Sequence, residues 1–168
     1  MRELNPEHVK AVIDAMNRGP YFRHLSMFIK EIAMGYSLVE LDIGNEHLNP
    51  FGGLHGGVYA SAIDTAAYWA VYGELDEGVG FTSVDLRVDF LAPISEGKMI
   101  IRGNRIKIGK VMCLAEATAF DRNDKCLAHG LSKLIVSPGL QTIKDAADFM
   151  GAKPLPPKFI ELDRNDEG

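Results

Sequence analysis

The chain has 168 residues, 46% of them hydrophobic and 24% charged, which is the size and balance of one globular domain whose core needs neither disulfides nor metal. A formal net charge of -5 argues against nucleic acid as the main ligand, because phosphate backbones call for a basic face. No apolar run reaches the roughly 20 residues of a membrane span, and the N-terminus, Met1-Arg2-Glu3-Leu4-Asn5-Pro6, lacks the apolar centre of a secretory signal.

Asn5-Pro6-Glu7 reads as an N-cap, a first-turn proline and a first-turn acid, and Val9, Val12, Ile13 and Met16 follow at helical spacing until Gly19-Pro20 ends the helix. From about Leu25 to Ile43 two strands are expected, broken at Gly35, and then a polar loop from Gly44 to Pro50. The stretch from Gly57 to Tyr72 is alanine-rich and apolar on nearly every side, so it predicts a buried central helix closed by Gly73.

Four strand-like runs follow, about 81–91, 99–108, 111–120 and 126–136, joined by turns short enough to make neighbours antiparallel. In the third run Val111, Cys113, Ala115, Ala117 and Ala119 share one face, and small residues in a row suit a helix packed close against them. A hairpin turning at residues 121–124 sets Cys113 opposite a residue near Ser132 and Cys126 opposite one near Ala119, too far apart for a disulfide. Two reduced thiols fit the cytoplasm. The tail from Leu140 holds one more amphipathic helix (Ile143, Ala146, Ala147, Met150) and a proline-rich end. The whole reads as an α+β chain in which one antiparallel sheet wraps a long central helix. Residues 1–140 form a single domain, and 141–168 a C-terminal helix and tail without an assigned role.

There is no zinc-binding spacing, phosphate loop or dinucleotide fingerprint, so no metal or cofactor is expected. Asp64 is the one acidic or basic side chain between Gly52 and Gly73 apart from His55. An unpaired buried carboxylate is costly. Asp64 therefore either lies on a solvated stripe or pairs with a distant base, or else serves as general base or nucleophile at a pocket edge. His55-Gly56-Gly57 opens the same helix, whose free amides suit a developing oxyanion, although two glycines also suit a tight loop entry and His55 a structural role. Gly56 and Asp64 are eight residues, about 12 Å, apart along a helix. One helix cannot bring both to one carbonyl, so if both act they act from different subunits, as a two-fold dimer would allow.

Asn49-Pro50, Gly53-Leu54-His55-Gly56-Gly57, Asp64, Thr82-Ser83-Val84-Asp85-Leu86 and Phe90-Leu91-Ala92-Pro93 together resemble the hotdog-fold thioesterases of the phenylacetate-degradation (PaaI-like) group, over about Asn49 to Val136. The resemblance implies hydrolysis of aryl or short- to medium-chain acyl-CoA by a homodimer or homotetramer, with CoA as part of the substrate. It implies that the Gly56 amide polarises the thioester carbonyl with His55 beside it. Asp64 of the facing subunit acts on water or attacks directly, Asn49 orients the water or thioester, and Ser83 helps to hold the water. Gly57, Arg102, Arg105, Lys107 and Lys110 are the candidates for contact with CoA. Phe51, Leu54, Tyr59, Tyr68 and Met34 are candidates for the acyl pocket, and equally for plain core. Two other readings stay open. One is a non-catalytic acyl-CoA binding module. The other is enoyl-CoA hydration through Asp42 and His47, which leaves Asp64 and the His-Gly-Gly run idle.

Overall fold

The structure is a computed structural model and describes residues 2–161; Met1 and residues 162–168, the ends of the two terminal segments read above, lie outside the described residues. A short strand β1 (Arg2–Leu4) leads into α1 (Pro6–Met16), where the Asn5 side chain accepts the Glu7 amide at 3.0 Å as the N-cap reading expects. Gly19-Pro20 ends α1 but also starts a five-residue helix, α2 (Pro20–His24), because proline is pre-set for a first helical position. The strands β2 (Met27–Ala33) and β3 (Tyr36–Ile43) form a hairpin turning at Gly35, whose φ of 72° is a conformation that glycine adopts freely. A 3-10 turn at Asn45–His47 precedes the central helix α3 (Gly56–Tyr72), and then come β4 (Phe81–Phe90), β5 (Gly97–Lys107), β6 (Met112–Phe120) and β7 (Cys126–Val136).

These strands make one six-stranded antiparallel sheet in the order β2-β3-β5-β6-β7-β4, and α3 lies across its inner face. The strand that directly follows the helix is thus carried to the edge, where it pairs with the last one. The expected small-residue face of β6 is real: Cys113, Ala115, Ala117 and Ala119 are fully buried. Val111 does not share it, being 70% exposed and outside the strand. Close approach of helix and sheet also dictates Gly103 on β5, where an added Cβ would stand 2.3 Å from the Ala66 carbonyl oxygen. Beside it Ser37 donates to that same oxygen at 2.6 Å.

The cysteines are both free, with Cys113 opposite Leu134 and Cys126 opposite Phe120. The register differs from the expected hairpin by one residue at Cys126, where the loop spans 121–125 instead of 121–124, and by two at Cys113, because a bulge between Ala119 and Phe120 adds another. The C-terminal segment folds back on the N-terminal one. The helix α4 (Ile143–Phe149), capped reciprocally by Thr142 and Asp145, packs on α1, and β8 (Phe159–Glu161) pairs with β1 in a two-stranded ribbon. No helix among the described residues is long and apolar enough to cross a membrane.

Candidate active site

The helix α3 is not buried all round. Val58, Tyr59, Ala62, Ile63, Ala66, Ala67, Trp69 and Ala70 are enclosed, but Gly57, Ala60, Ser61, Asp64, Thr65 and Tyr68 recur at intervals of three and four on a stripe left partly open. Asp64 sits midway along it. Ser83 on β4 donates a 2.7 Å hydrogen bond to Asp64 Oδ1, so the sheet edge and the helix meet at the carboxylate. Thr82, the neighbouring hydroxyl, is exposed. A β-bulge lies between Ser83 and Asp85, a device that re-aims side chains at sheet edges and sites.

At the N-terminus of α3, His55 is the N-cap, and its Nδ1 accepts the Gly57 amide at 2.9 Å. That nitrogen is therefore unprotonated, and the ring hydrogen of the neutral form lies on Nε2. The Gly57 amide is occupied by the cap and the Val58 amide by the His55 carbonyl, whereas the Gly56 amide finds no acceptor among the described residues. It opens into a groove of about 360 Å³ bounded by Leu54, Tyr59, Phe90, Leu91, Ala92 and Pro93. Phe90 roofs it: a Cβ on Gly56 would be 3.3 Å from the tip of that ring. Tyr59 meets Phe90 edge-on at 5.7 Å, and its hydroxyl donates to the Ala92 carbonyl. Burial pushes the Tyr59 phenol up, so it remains a neutral donor at any ordinary pH.

Asn49 organises the preceding loop. Its Oδ1 accepts the Phe51 and Gly53 amides at 2.9 and 3.3 Å, and its Nδ2 has no acceptor among the described residues. That leaves one donor on the loop that delivers His55-Gly56.

The other expected residues are dispersed. Phe51 is 97% exposed in the loop, whereas Leu54, though buried, also bounds the Gly56 groove. Tyr68 lies flat on Phe81, with ring centroids 4.1 Å apart, and burial, with a smaller contribution from the Asp64 charge, pushes its phenol up. Met34 lies in the β2–β3 turn against Gly73, the far end of α3 from Gly56, so it does not line the Gly56 groove of its own chain. Arg102 is on the outer side of the sheet, paired with Asp124 and stacked over Phe120, and Arg105 is paired with Glu74. Lys107 and Lys110 are exposed and make no ion pair among the described residues. His47, the hydratase candidate, is buried with Nδ1 accepting the Gly44 amide and Nε2 facing the His24 carbonyl, while Asp42 lies 3.6 Å from Lys98. His47 is thus engaged in holding the loop, and Asp42 is a half-exposed surface carboxylate. Sequence reasoning missed the roles of Phe90 and of the exposed stripe; the latter was legible as Ser61, Asp64, Thr65 and Tyr68 at helical spacing.

The thioesterase superfamily profile matches residues 51–128. A Saccharolobus solfataricus protein, provisionally named esterase SSO1253, is 30% identical over 129 residues, covering 76% of this chain and 85% of the relative. The chain belongs to the thioesterase superfamily. Human acyl-coenzyme A thioesterase 13 is 25% identical over 128 residues, 74% of this chain and 91% of the relative. Among solved structures, thioesterase HI1161 of Haemophilus influenzae superposes with a TM-score of 0.74 at 20% identity, covering 84% of this chain and 98% of the other. A Streptococcus pneumoniae thioesterase protein solved with coenzyme A superposes at 0.61 with 16% identity, covering 68% and 88%. The hotdog arrangement and membership among hydrolases follow, and both agree with an antiparallel sheet around a long helix.

Proposed function

We propose that this protein hydrolyses acyl-CoA thioesters, aryl or short- to medium-chain, to the free acid and CoA, in the manner of the PaaI-like group. The observation that carries the reading is that one helix presents both an amide at Gly56 with no acceptor among the described residues and a serine-held carboxylate at Asp64. The thioester carbonyl accepts from the Gly56 N–H, which, with the partial positive charge of the helix start, stabilises the oxyanion as water adds. Asp64 takes the proton from that water. Collapse of the tetrahedral adduct breaks the C–S bond, and the proton passes to the departing thiolate. Direct attack by Asp64 would give an anhydride that water then opens, with the same products. Ser83 fixes the carboxylate, and Asn49 Nδ2 and His55 Nε2–H are donors beside the carbonyl.

The two groups are about 12 Å apart on one helix, so the site draws Gly56 from one protomer and Asp64 from another. The edge strand β4 supports such a pairing: among the described residues it has β7 on one side and no strand on the other, and Val84 and Phe90 on it and Leu91 just after it are more than half exposed. Lys107 and Lys110, which form no ion pair among the described residues, are better candidates for CoA phosphates than Arg102 and Arg105, which are paired with Asp124 and Glu74, and the reaction needs no cofactor beyond its substrate. Two unpaired thiols suit the cytoplasm.

The test is release of thiol from a panel of aryl- and alkyl-CoAs by wild type and Asp64→Ala. The expected result is turnover that falls by about 10² or more in the variant with the oligomer intact. Tight binding of CoA esters without turnover would point instead to a binding module.

A further inference from the structure

The C-terminal strap carries a lysine that the chemistry above does not use. Lys158 is 1% exposed, and it forms no ion pair among the described residues. Its Nζ donates to the carbonyls of Tyr72 and Leu75, both at 2.6 Å, and lies 3.8 Å from the centre of the Tyr72 ring. It thus occupies the negative end of α3, satisfying a carbonyl of the last helical residue. From the other side, His8 of α1 grips the same tyrosine. Its Nδ1 faces the Pro156 carbonyl at 2.6 Å and so carries the hydrogen, which leaves Nε2 to accept from the Tyr72 hydroxyl at 2.6 Å. Burial and the Lys158 charge lower the imidazole pKa, in keeping with that neutral tautomer.

Tyr72 is one end of an aromatic stack. Its ring is nearly parallel to Phe81, at 6.5 Å and 12°, and Phe81 is nearly parallel to Tyr68, at 4.1 Å and 13°. Trp69 meets both tyrosines edge-on, at 5.3 and 5.2 Å. The far members of this stack adjoin the site from two elements. Tyr68 is one helical turn beyond Asp64 on the same stripe, and Phe81 is two residues before Ser83 on the same face of β4. The spacing between Tyr68 and Phe81 therefore sets the spacing between α3 and β4 where Ser83 reaches Asp64.

We propose that Lys158 and His8 are positioning residues for hydrolysis: by clamping Tyr72 they fix the Tyr72–Phe81–Tyr68 stack, and the stack holds Ser83 within hydrogen-bonding distance of Asp64. The inference rests on the reading of Asp64 as the catalytic acid-base. It makes the strap, which lies beyond the residues matched by the superfamily profile, part of the catalytic apparatus of this chain.

The experiment compares wild type, Lys158→Met, Tyr72→Phe, Ser83→Ala and the Lys158→Met/Ser83→Ala double variant. Each is assayed for kcat and KM with the best CoA thioester, at a temperature where melting curves show it folded. Tyr72→Phe removes only the hydroxyl held by His8, and serves if Lys158→Met is too unstable to assay. The expected result is a loss in kcat of about tenfold for Lys158→Met and about threefold for Tyr72→Phe, with KM within about twofold, the scale of coupling through packed groups. In the Ser83→Ala background, Lys158→Met should cost less than about twofold, because the bond it protects is already gone. Full additivity, or a lower melting temperature with kcat unchanged, overturns the proposal. A crystal structure of the most stable clamp variant supplies a readout without turnover, since a Ser83–Asp64 bond kept at the wild-type distance overturns it as well. Asp64→Ala separates the two ideas. If that variant is inactive and the clamp variants are unimpaired, this inference alone fails; if it is fully active, the Asp64 reading fails.

Discussion

Ser83 Oγ lies 2.7 Å from Asp64 Oδ1, and this bond ties the edge strand of the sheet to the middle of the central helix. A hydroxyl that donates to a carboxylate fixes one lone pair and leaves the other oxygen for water. Ser83→Ala should therefore lower kcat by about tenfold with KM little changed, in line with the 1.5–3 kcal/mol typical of a hydrogen bond to a charged group. Thr82→Ala, at the exposed neighbour, should leave kcat unchanged. Equal effects of the two substitutions in a thiol-release assay would remove Ser83 from the site.

Sharing of the site between protomers can be read by mixing. Gly56→Val fills the space at the open amide, and Asp64→Ala removes the carboxylate, so each variant alone should be nearly inactive. Unfolded together and refolded at equal amounts, half of the dimers are mixed, and each mixed dimer has one intact site of two. Activity should recover to about a quarter of wild type. No recovery, with mixed dimers detected by mass spectrometry, would mean that both groups serve one protomer.

His55 combines a cap with a position beside the carbonyl, and the two roles can be separated. His55→Ala removes the acceptor of the Gly57 amide and should destabilise the protein by about 1 kcal/mol in urea unfolding. His55→Asn retains a capping oxygen and should recover most of that stability. Activity restored along with stability assigns His55 to the cap alone, whereas stability without activity assigns Nε2–H to the chemistry.

Lys158 also gives the fold a pH dependence. Burial first, then the Arg2 charge, lowers its pKa to about 7, against the opposing pull of Asp76 and Glu77. The unfolded chain holds the proton up to about 10.5, so between these limits it binds more protons than the native state does, and stability rises with pH. Below pH 7 the cost of the buried charge is present in full. His8, the other titrating group in the clamp, is also lowered by burial and acts in the same sense, but only below its ordinary 6.5. The urea midpoint should climb between about pH 7 and 10 more steeply in wild type than in Lys158→Met. An equal rise in the two proteins would mean that Lys158 stays charged in the native state.

Much of this was legible in the sequence because it depends on local chemistry. Asn5-Pro6 starts α1, the alanine-rich run 57–72 makes the central helix, and alternating small residues mark the face of β6 that receives it. The placing of His55-Gly56 at a helix start and of Asp64 in mid-helix follows from counting residues, as does the expectation that the two, if both act, act from different subunits. Other features were not legible. Nothing local distinguishes Thr82 from Ser83, and the answer depends on which of them faces α3, with the bulge before Asp85 re-aiming the strand beyond. The dispersal of Arg102, Arg105 and Met34 was equally hidden, since each is placed by strand pairing rather than by its neighbours in sequence.

The sequence by itself determined most of the elements and the α+β arrangement, because propensity, capping and periodicity act over a few residues, while the hotdog class and the candidate set Asn49, His55, Gly56, Asp64 and Ser83 came from the resemblance of its motifs to a family. Tertiary structure alone decided that β4 goes to the sheet edge, that the Phe90 ring comes up against Gly56, and that Lys158 reaches back to Tyr72. Those are contacts between residues tens of positions apart, fixed by burial and by the need of every enclosed polar group for a partner. No local pattern in the proline-rich tail announces that its lysine ends the central helix.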